Sequence, residues 1–442
     1  MESNYVSFYD ISIATLWLVI FLVIANSRAK KVDPDIRKYY IRNVFFKFFF
    51  AIAFAVVYLI YYDGGDTTAY WDGALTLNKL FIDSPFLYFE SLFSEPSSEM
   101  FSKHFNIETG YPPGWLYGES EAWFVCKIAS IVSLITFKSY FSGTMFFAFL
   151  SAMASWRIFE LVIKLKTHKK HVAAFCILFI PSVSFWCTGI SKDTVVFIST
   201  LNFLYYVFDI MVLGSSVKSK NIITLIFSIF LIYQTRTFIL AAIAVPIFMS
   251  FGARITRRYE KQFLVKLFIR STIIFGGLFF FLQFFSSDFA NQMVTEAQVV
   301  QSDFTVNETY TGKRYEISNT DASPAGLIRA IPESVFYGIY KPFIYESFSP
   351  TLIMNGLESL LLMFLTIRFF ITGNPIKKIK HIRKNEILVF AFVFSLFIAF
   401  MGGFTSVLFG VLVRIRAPLL PFFFLVLTSS VMLNQEKTKI EK

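Results

Sequence analysis

Cysteine and histidine are scarce, with three and four copies in 442 residues. Cys126, Cys176 and Cys187 are too few to form a disulfide framework. Cys176 and Cys187 fall in or beside one apolar run and read as packing residues. His168, His171 and His381 lie in Lys-rich stretches. The spacing of "HKKH" suits a metal, but the lysines between the rings would repel a cation, so no metal site and no cofactor is expected. Charge is scarce as well, at 16% of residues against about 25% in soluble domains, which excludes an ordinary water-soluble globule. Alternating strand patterns are missing, which excludes an outer-membrane barrel. The first apolar run, "ISIATLWLVIFLVIAN", has an acidic start and no small-residue cleavage site, so it is expected to stay as a helix and not to be removed as a signal peptide.

Apolar residues make up 55% of the chain, 58 of them Phe, and many runs approach the roughly 20 residues that cross a bilayer. The expected fold is all-α, a polytopic transmembrane helical bundle spanning 1–442 as one integral membrane domain. The net charge of +11 sits in short loops such as "KLKTHKKH", "ARITRRYEKQ" and "GNPIKKIKHIRKN". That distribution is the positive-inside pattern and marks contact with anionic lipid rather than nucleic acid. Placing those loops in the cytoplasm predicts about eleven crossings: 8–26, 44–62, 142–163, 172–188, 194–213, 222–233, 238–251, 263–285, 351–371, 387–403 and 418–433. The N-terminus is then outside and the C-terminus inside. Two long loops, 63–140 and 286–349, face outward. Within the first, 122–137 carries Lys127, Ser130 and Ser133 at helical spacing, which predicts an interfacial amphipathic helix.

The outer face holds the candidate chemistry. "YYDGGDTTAYWDGA" brings Asp63, Asp66 and Asp72 to a helix exit, with Tyr70 and Trp71 one turn beyond Asp66. Asp66 follows a Gly pair and is expected to be held in a cleft. Cations also recur at outer turns against the positive-inside trend. Lys192 and Asp193 lie in "PSVSFWCTGISKDTVVF", Arg236 in "YQTRTF", Lys341 and Glu346 in "YKPFIYES", and Arg414 and Arg416 in "FGVLVRIRAPLLP". Arginine forks suit phosphate oxygens. A carboxylate, aromatics and cations bordering lipid together predict a sugar linked through phosphate to a long lipid.

A helix exit bearing "GDTTAYW", followed by a long outer loop with an interfacial helix, resembles membrane glycosyltransferases of the GT-C superfamily. The resemblance implies Asp66 as catalytic base, with Asp63 or Asp72 as alternatives, and polyprenyl-linked sugars as donors. Here an extra helix precedes the acidic loop, a departure from that pattern. "PSVSFWCTGISKD", "YKPFIYES" and "RIRAPLLPF" also look like bacterial envelope proteins grouped with polysaccharide polymerases of the O-antigen type. That likeness implies roles for Arg236, Arg414 and Arg416. The expected function is glycosyl transfer or polysaccharide polymerisation from polyprenyl-phosphate-linked sugars. The expected setting is the outer side of a bacterial inner membrane, with membrane lipid and other polysaccharide-assembly proteins as partners. The alternatives are a transporter or flippase of lipid-linked glycan and a non-catalytic assembly subunit. Glu358 is the residue to watch for transport.

Overall fold

The structure, a computed structural model, describes residues 5–259, short pieces of 262–276, 313–315, 317 and 324–429. In chain order its helices begin with α1 (Phe8–Ala29), α2 (Pro34–Val56), α3 (Asp66–Asp83), α4 (Pro85–Phe93), α5 (Ser98–His104) and α6 (Ser120–Ile135). The next six are α7 (Tyr140–Lys164), α8 (Lys170–Leu178), α9 (Pro181–Trp186), α10 (Lys192–Met211), α11 (Ser219–Thr235) and α12 (Phe238–Arg258). The last six are α13 (Pro324–Tyr340), α14 (Pro350–Ile371), α15 (Pro375–Lys384), α16 (Glu386–Thr405), α17 (Phe409–Arg416) and α18 (Leu420–Thr428). Short polar residues open many of them. Ser7, Asp33, Ser84, Ser191, Ser349 and Asn374 each accept a first-turn amide. Four of these caps precede a proline at a position where its missing N–H leaves no gap.

Among the described residues, seven helices are long and apolar enough to cross a membrane: α1, Pro34–Tyr61, α7, α10, Phe238–Thr256, α14 and α16. The pair α17 and α18, bent by 64°, makes an eighth if counted as one span. The chain thus reads as an all-helical, multi-pass membrane protein. The sequence pattern predicts eleven crossings, and the difference is local. Pro181 lacks an N–H and cannot continue a helix, so the run 172–188 breaks into α8 and α9. The run 222–233 is the 17-residue α11. The expected crossing at 263–285 lies largely outside the described residues.

The first expected outer loop is mostly helix. It folds as α3 to α6 with a 3-10 turn at Gly114–Gly118. The polar stripe of α6 turns inward, where an interfacial helix would have faced it toward water. Ser130 and Ser133 are buried. Ser130 bonds the Tyr88 hydroxyl at 3.1 Å, Ser133 accepts from Asn78, and Lys127 Nζ donates to the Ser94 carbonyl at 2.8 Å. Of the second expected outer loop, 286–312 lies outside the described residues and α13 occupies much of the rest.

The chain divides into two compact units. Unit 1 is Met1–Leu161 with Ile177–Thr237, and unit 2 is Val162–Cys176 with Phe238–Lys442. In unit 1, α3 packs on α6 around buried Trp71, Trp123, Phe101 and Tyr140. Trp71 lies against Gly143, where a Cβ would come within 2.6 Å of the indole. In unit 2, α13 packs on α16 backbone to backbone. A Cβ on Gly338 would fall 2.0 Å from the Ala399 carbonyl oxygen, and one on Gly403 1.9 Å from that of Ser334.

Candidate functional site

The "DGGD" exit is built by backbone geometry. A π turn, Val57–Tyr61, ends the second membrane helix. Asp63, Gly64 and Gly65 then take φ of 50°, 114° and 127°, values that favour glycine. The Gly64 amide donates to the Tyr58 carbonyl at 2.8 Å, and Gly65 caps α3 with the Tyr58 ring 3.2 Å from where a Cβ would stand. The chain therefore reverses sharply and places Asp66 as the first residue of α3, where the helix dipole favours a carboxylate. Asp63 and Asp66 are both exposed. This corrects the expectation of a carboxylate enclosed in a cleft, because the turn projects Asp66 outward. Asp72, one and a half turns on, accepts a hydrogen bond from the Tyr5 hydroxyl and so ties the N-terminal segment to α3.

Tyr70 and Trp71 need a second correction. They retain 2% and 1% of their surface, because α3 buries that face against α6 and α7. They build the site's wall and present no ring to a ligand. The cluster they join also contains Tyr140, Ile190 and Val195, and Thr67 bonds the Tyr140 hydroxyl at 3.0 Å. The start of α3 and the turn into α10 thus rest on one apolar cluster. At that turn Arg236 donates to Asp193 at 2.7 Å, and Lys192 lies 3.4 Å from Glu121. The Arg236 Nε is buried without a partner among the described residues, so its guanidinium keeps donor capacity beyond the ion pair.

Lys341, Glu346, Arg414 and Arg416 belong to unit 2. Arg416 is 1% exposed and is engaged through both terminal nitrogens. Its Nη1 donates to the Ile339 and Lys341 carbonyls and to Ser359 Oγ at 3.1, 2.7 and 2.9 Å. Its Nη2 donates to the Asn355 carbonyl and Oδ1, both at 3.2 Å. This corrects its reading as a ligand group: the fork braces α14 against the end of α13. Lys341 lies 2.8 Å from Glu346 and within 4.7–5.7 Å of the ring centroids of Tyr337, Phe343, Phe409 and Tyr315, so it too is engaged internally. Arg414 is half-buried on α17.

Three buried polar residues escape the sequence reading. Asn43 immediately precedes the second apolar run and Lys47 lies inside it, where aromatic neighbours mask them. Both are fully buried. Asn43 donates to the Ala152 carbonyl at 2.9 Å, and Lys47 Nζ donates to Ser184 Oγ at 3.1 Å. His104, at the end of α5, bridges Ser91, at 2.7 Å, and Glu90, at 3.3 Å, on α4. Lys103 beside Glu90, helped by His104, holds that carboxyl below its ordinary pKa. The three cysteines are buried and free. His168 is buried, with Nε2 donating to the Leu425 carbonyl at 2.8 Å, which explains the first ring of "HKKH" as a packing group. No cluster of three or more His, Cys, Asp or Glu side chains that could hold a metal is found among the described residues. Comparison with known protein families, characterised proteins and solved structures finds no match to this chain.

Proposed function

We propose that unit 1 carries a site for glycosyl transfer or polysaccharide polymerisation, using sugars linked through phosphate to a polyprenyl lipid on the outer side of a bacterial inner membrane. One observation carries this reading. Exposed Asp66 at a helix N-terminus and the cations Lys192 and Arg236 border a single apolar cluster in a chain of membrane-spanning helices. Arg236 and Lys192 exchange from Asp193 and Glu121 to the phosphate, where charge-assisted donors oppose the growing negative charge. The acceptor hydroxyl oxygen attacks the anomeric carbon. The bond from that carbon to the phosphate oxygen breaks, and the phosphate leaves with the electron pair. Asp66 takes the hydroxyl proton. A positioned base of this kind is worth about 10²–10⁴-fold.

The test is product formation from a polyprenyl-linked donor in membranes carrying Asp66→Asn or Arg236→Ala, with protein abundance measured in parallel. Loss of about 10²-fold or more with Asp66→Asn at normal abundance is expected. Unchanged glycan would remove Asp66 as the base. A second reading, translocation of lipid-linked glycan, is favoured by a specific feature, the buried lysine midway along the second span.

A further inference from the structure

Lys47 lies midway along the 28-residue span Pro34–Tyr61 and has no exposed surface. A lysine at a bilayer centre costs about 2.5–3.5 kcal/mol on insertion scales, and such residues usually face a partner or a pathway. Lys47 has three donors to place. Among the described residues they meet one hydroxyl, Ser184 Oγ, and the ring of Phe197 with its centroid 5.5 Å away. No carboxylate there forms an ion pair with it.

Further unmet polar atoms lie on the helices that contact Lys47 and Asn43. Asn43 is one turn before Lys47 on the same buried face of α2, and its Oδ1 is buried without a partner. The Asn43 amide donates to Ala152, whose neighbour Ser151 has an unpartnered buried hydroxyl. Thr200, one turn beyond Phe197 on α10, has another. A cation, one acceptor and several hydroxyls inside an apolar bundle match a group that is anionic and also bears hydroxyls. A bare anion would leave Asn43 Oδ1 facing negative charge.

We infer that Lys47, with Asn43 and the hydroxyls of Ser184, Ser151 and Thr200, is an intramembrane binding site for an anionic, hydroxyl-bearing lipid headgroup in transit across the membrane. The phosphate neutralises the ammonium, and the headgroup hydroxyls donate to Asn43 Oδ1 and exchange hydrogen bonds with the serine and threonine side chains. This goes beyond the surface site proposed above and uses none of its residues. A polyprenyl phosphosugar and phosphatidylglycerol both carry that chemistry.

The full-length protein is reconstituted into vesicles holding one fluorophore-labelled lipid at a time: a polyprenyl phosphosugar, phosphatidylglycerol or phosphatidylcholine. A membrane-impermeant reductant bleaches the outer leaflet, and the protected inner pool reports crossing. Faster crossing than in protein-free vesicles is expected for one or both anionic lipids, and which of them crosses identifies the source of the headgroup. Phosphatidylcholine should stay at the protein-free rate. Lys47→Met should slow crossing about tenfold or more, the rate equivalent of one lost charge-assisted hydrogen bond. Ser184→Ala, a milder change that keeps the lysine, should slow it by a smaller factor. Crossing no faster than in protein-free vesicles, equal crossing of phosphatidylcholine, or wild-type rates in both variants would overturn the site. Glycan formation from donor supplied to the outer leaflet should survive Lys47→Met, which separates failure of this inference from failure of the transferase reading.

Discussion

Arg236 Nη2 donates to Asp193 Oδ1 at 2.7 Å, and the two side chains keep 19% and 10% of their accessible surface. A pair this enclosed depends on both members. Loss of one partner from a fully buried pair costs about 3–5 kcal/mol, and partial exposure lowers that figure here. Asp193→Ala and Arg236→Ala should each lower the melting temperature of the detergent-solubilised protein. The double variant should lose less than the sum, with a coupling of about 1–3 kcal/mol. Additive losses would show that Asp193 does not hold Arg236 in place, and would remove the exchange step proposed for phosphate binding.

Arg416 is expected to act on folding. Its fork reaches two carbonyls at the end of α13 and both Asn355 and Ser359 on α14. A lysine offers a point charge and cannot span that arrangement. Arg416→Lys should therefore fail to rescue Arg416→Ala. Both should reduce the monodisperse fraction on size-exclusion chromatography, since orphaned buried acceptors cost about 1–3 kcal/mol each. Normal yield with lost activity would return Arg416 to the ligand-binding set.

The two glycines at the α13–α16 contact set the distance between those helices. An added methyl at Gly338 or Gly403 meets a carbonyl oxygen at 2.0 or 1.9 Å, and backbone cannot swing aside as a side chain can. Gly338→Ala should cost about 1–3 kcal/mol or more through forced separation. Gly410→Ala, where a Cβ meets nothing within 4 Å, is the matched control. Equal melting temperatures for the two variants would contradict the close packing.

Helix class and the main apolar spans were legible in the sequence because they depend on local hydrophobic runs. The expected 142–163, 351–371 and 387–403 correspond to Tyr140–Lys164, Pro350–Ile371 and Glu386–Thr405. The breaks were harder to read. Pro181 interrupts a run whose composition is continuous, and the folding of 63–140 into four helices depends on partners far along the chain. The site was legible as a list of charged residues but not as an arrangement. Charge at a helix end looks the same whether it faces solvent, as Asp66 does, or is consumed internally, as Arg416 is. Lys47 was hidden for the opposite reason: a single cation among phenylalanines barely alters the hydropathy of its run, although its surroundings in the fold make it exceptional.

His168 gives unit 2 a defined response to acid. Burial, helped by nearby His381, holds its pKa down at about 4, while its bond to the Leu425 carbonyl opposes the shift. In the unfolded chain the ring titrates near its ordinary value of about 6.5. Between those values the unfolded chain binds a proton that the folded chain refuses, so stability falls as pH drops through this window and the loss is complete below about 4. His168→Gln keeps an N–H donor for Leu425 and cannot titrate. Melting temperatures measured from about pH 7.5 to 4.5 should therefore fall more steeply for the wild type than for His168→Gln. Glu90, held low by Lys103, loses its contribution as pH falls through the carboxylate range in both proteins and cancels in the comparison. Parallel curves would mean that water or a rearranged α18 admits the charged ring, and the buried neutral His168 would have to be abandoned.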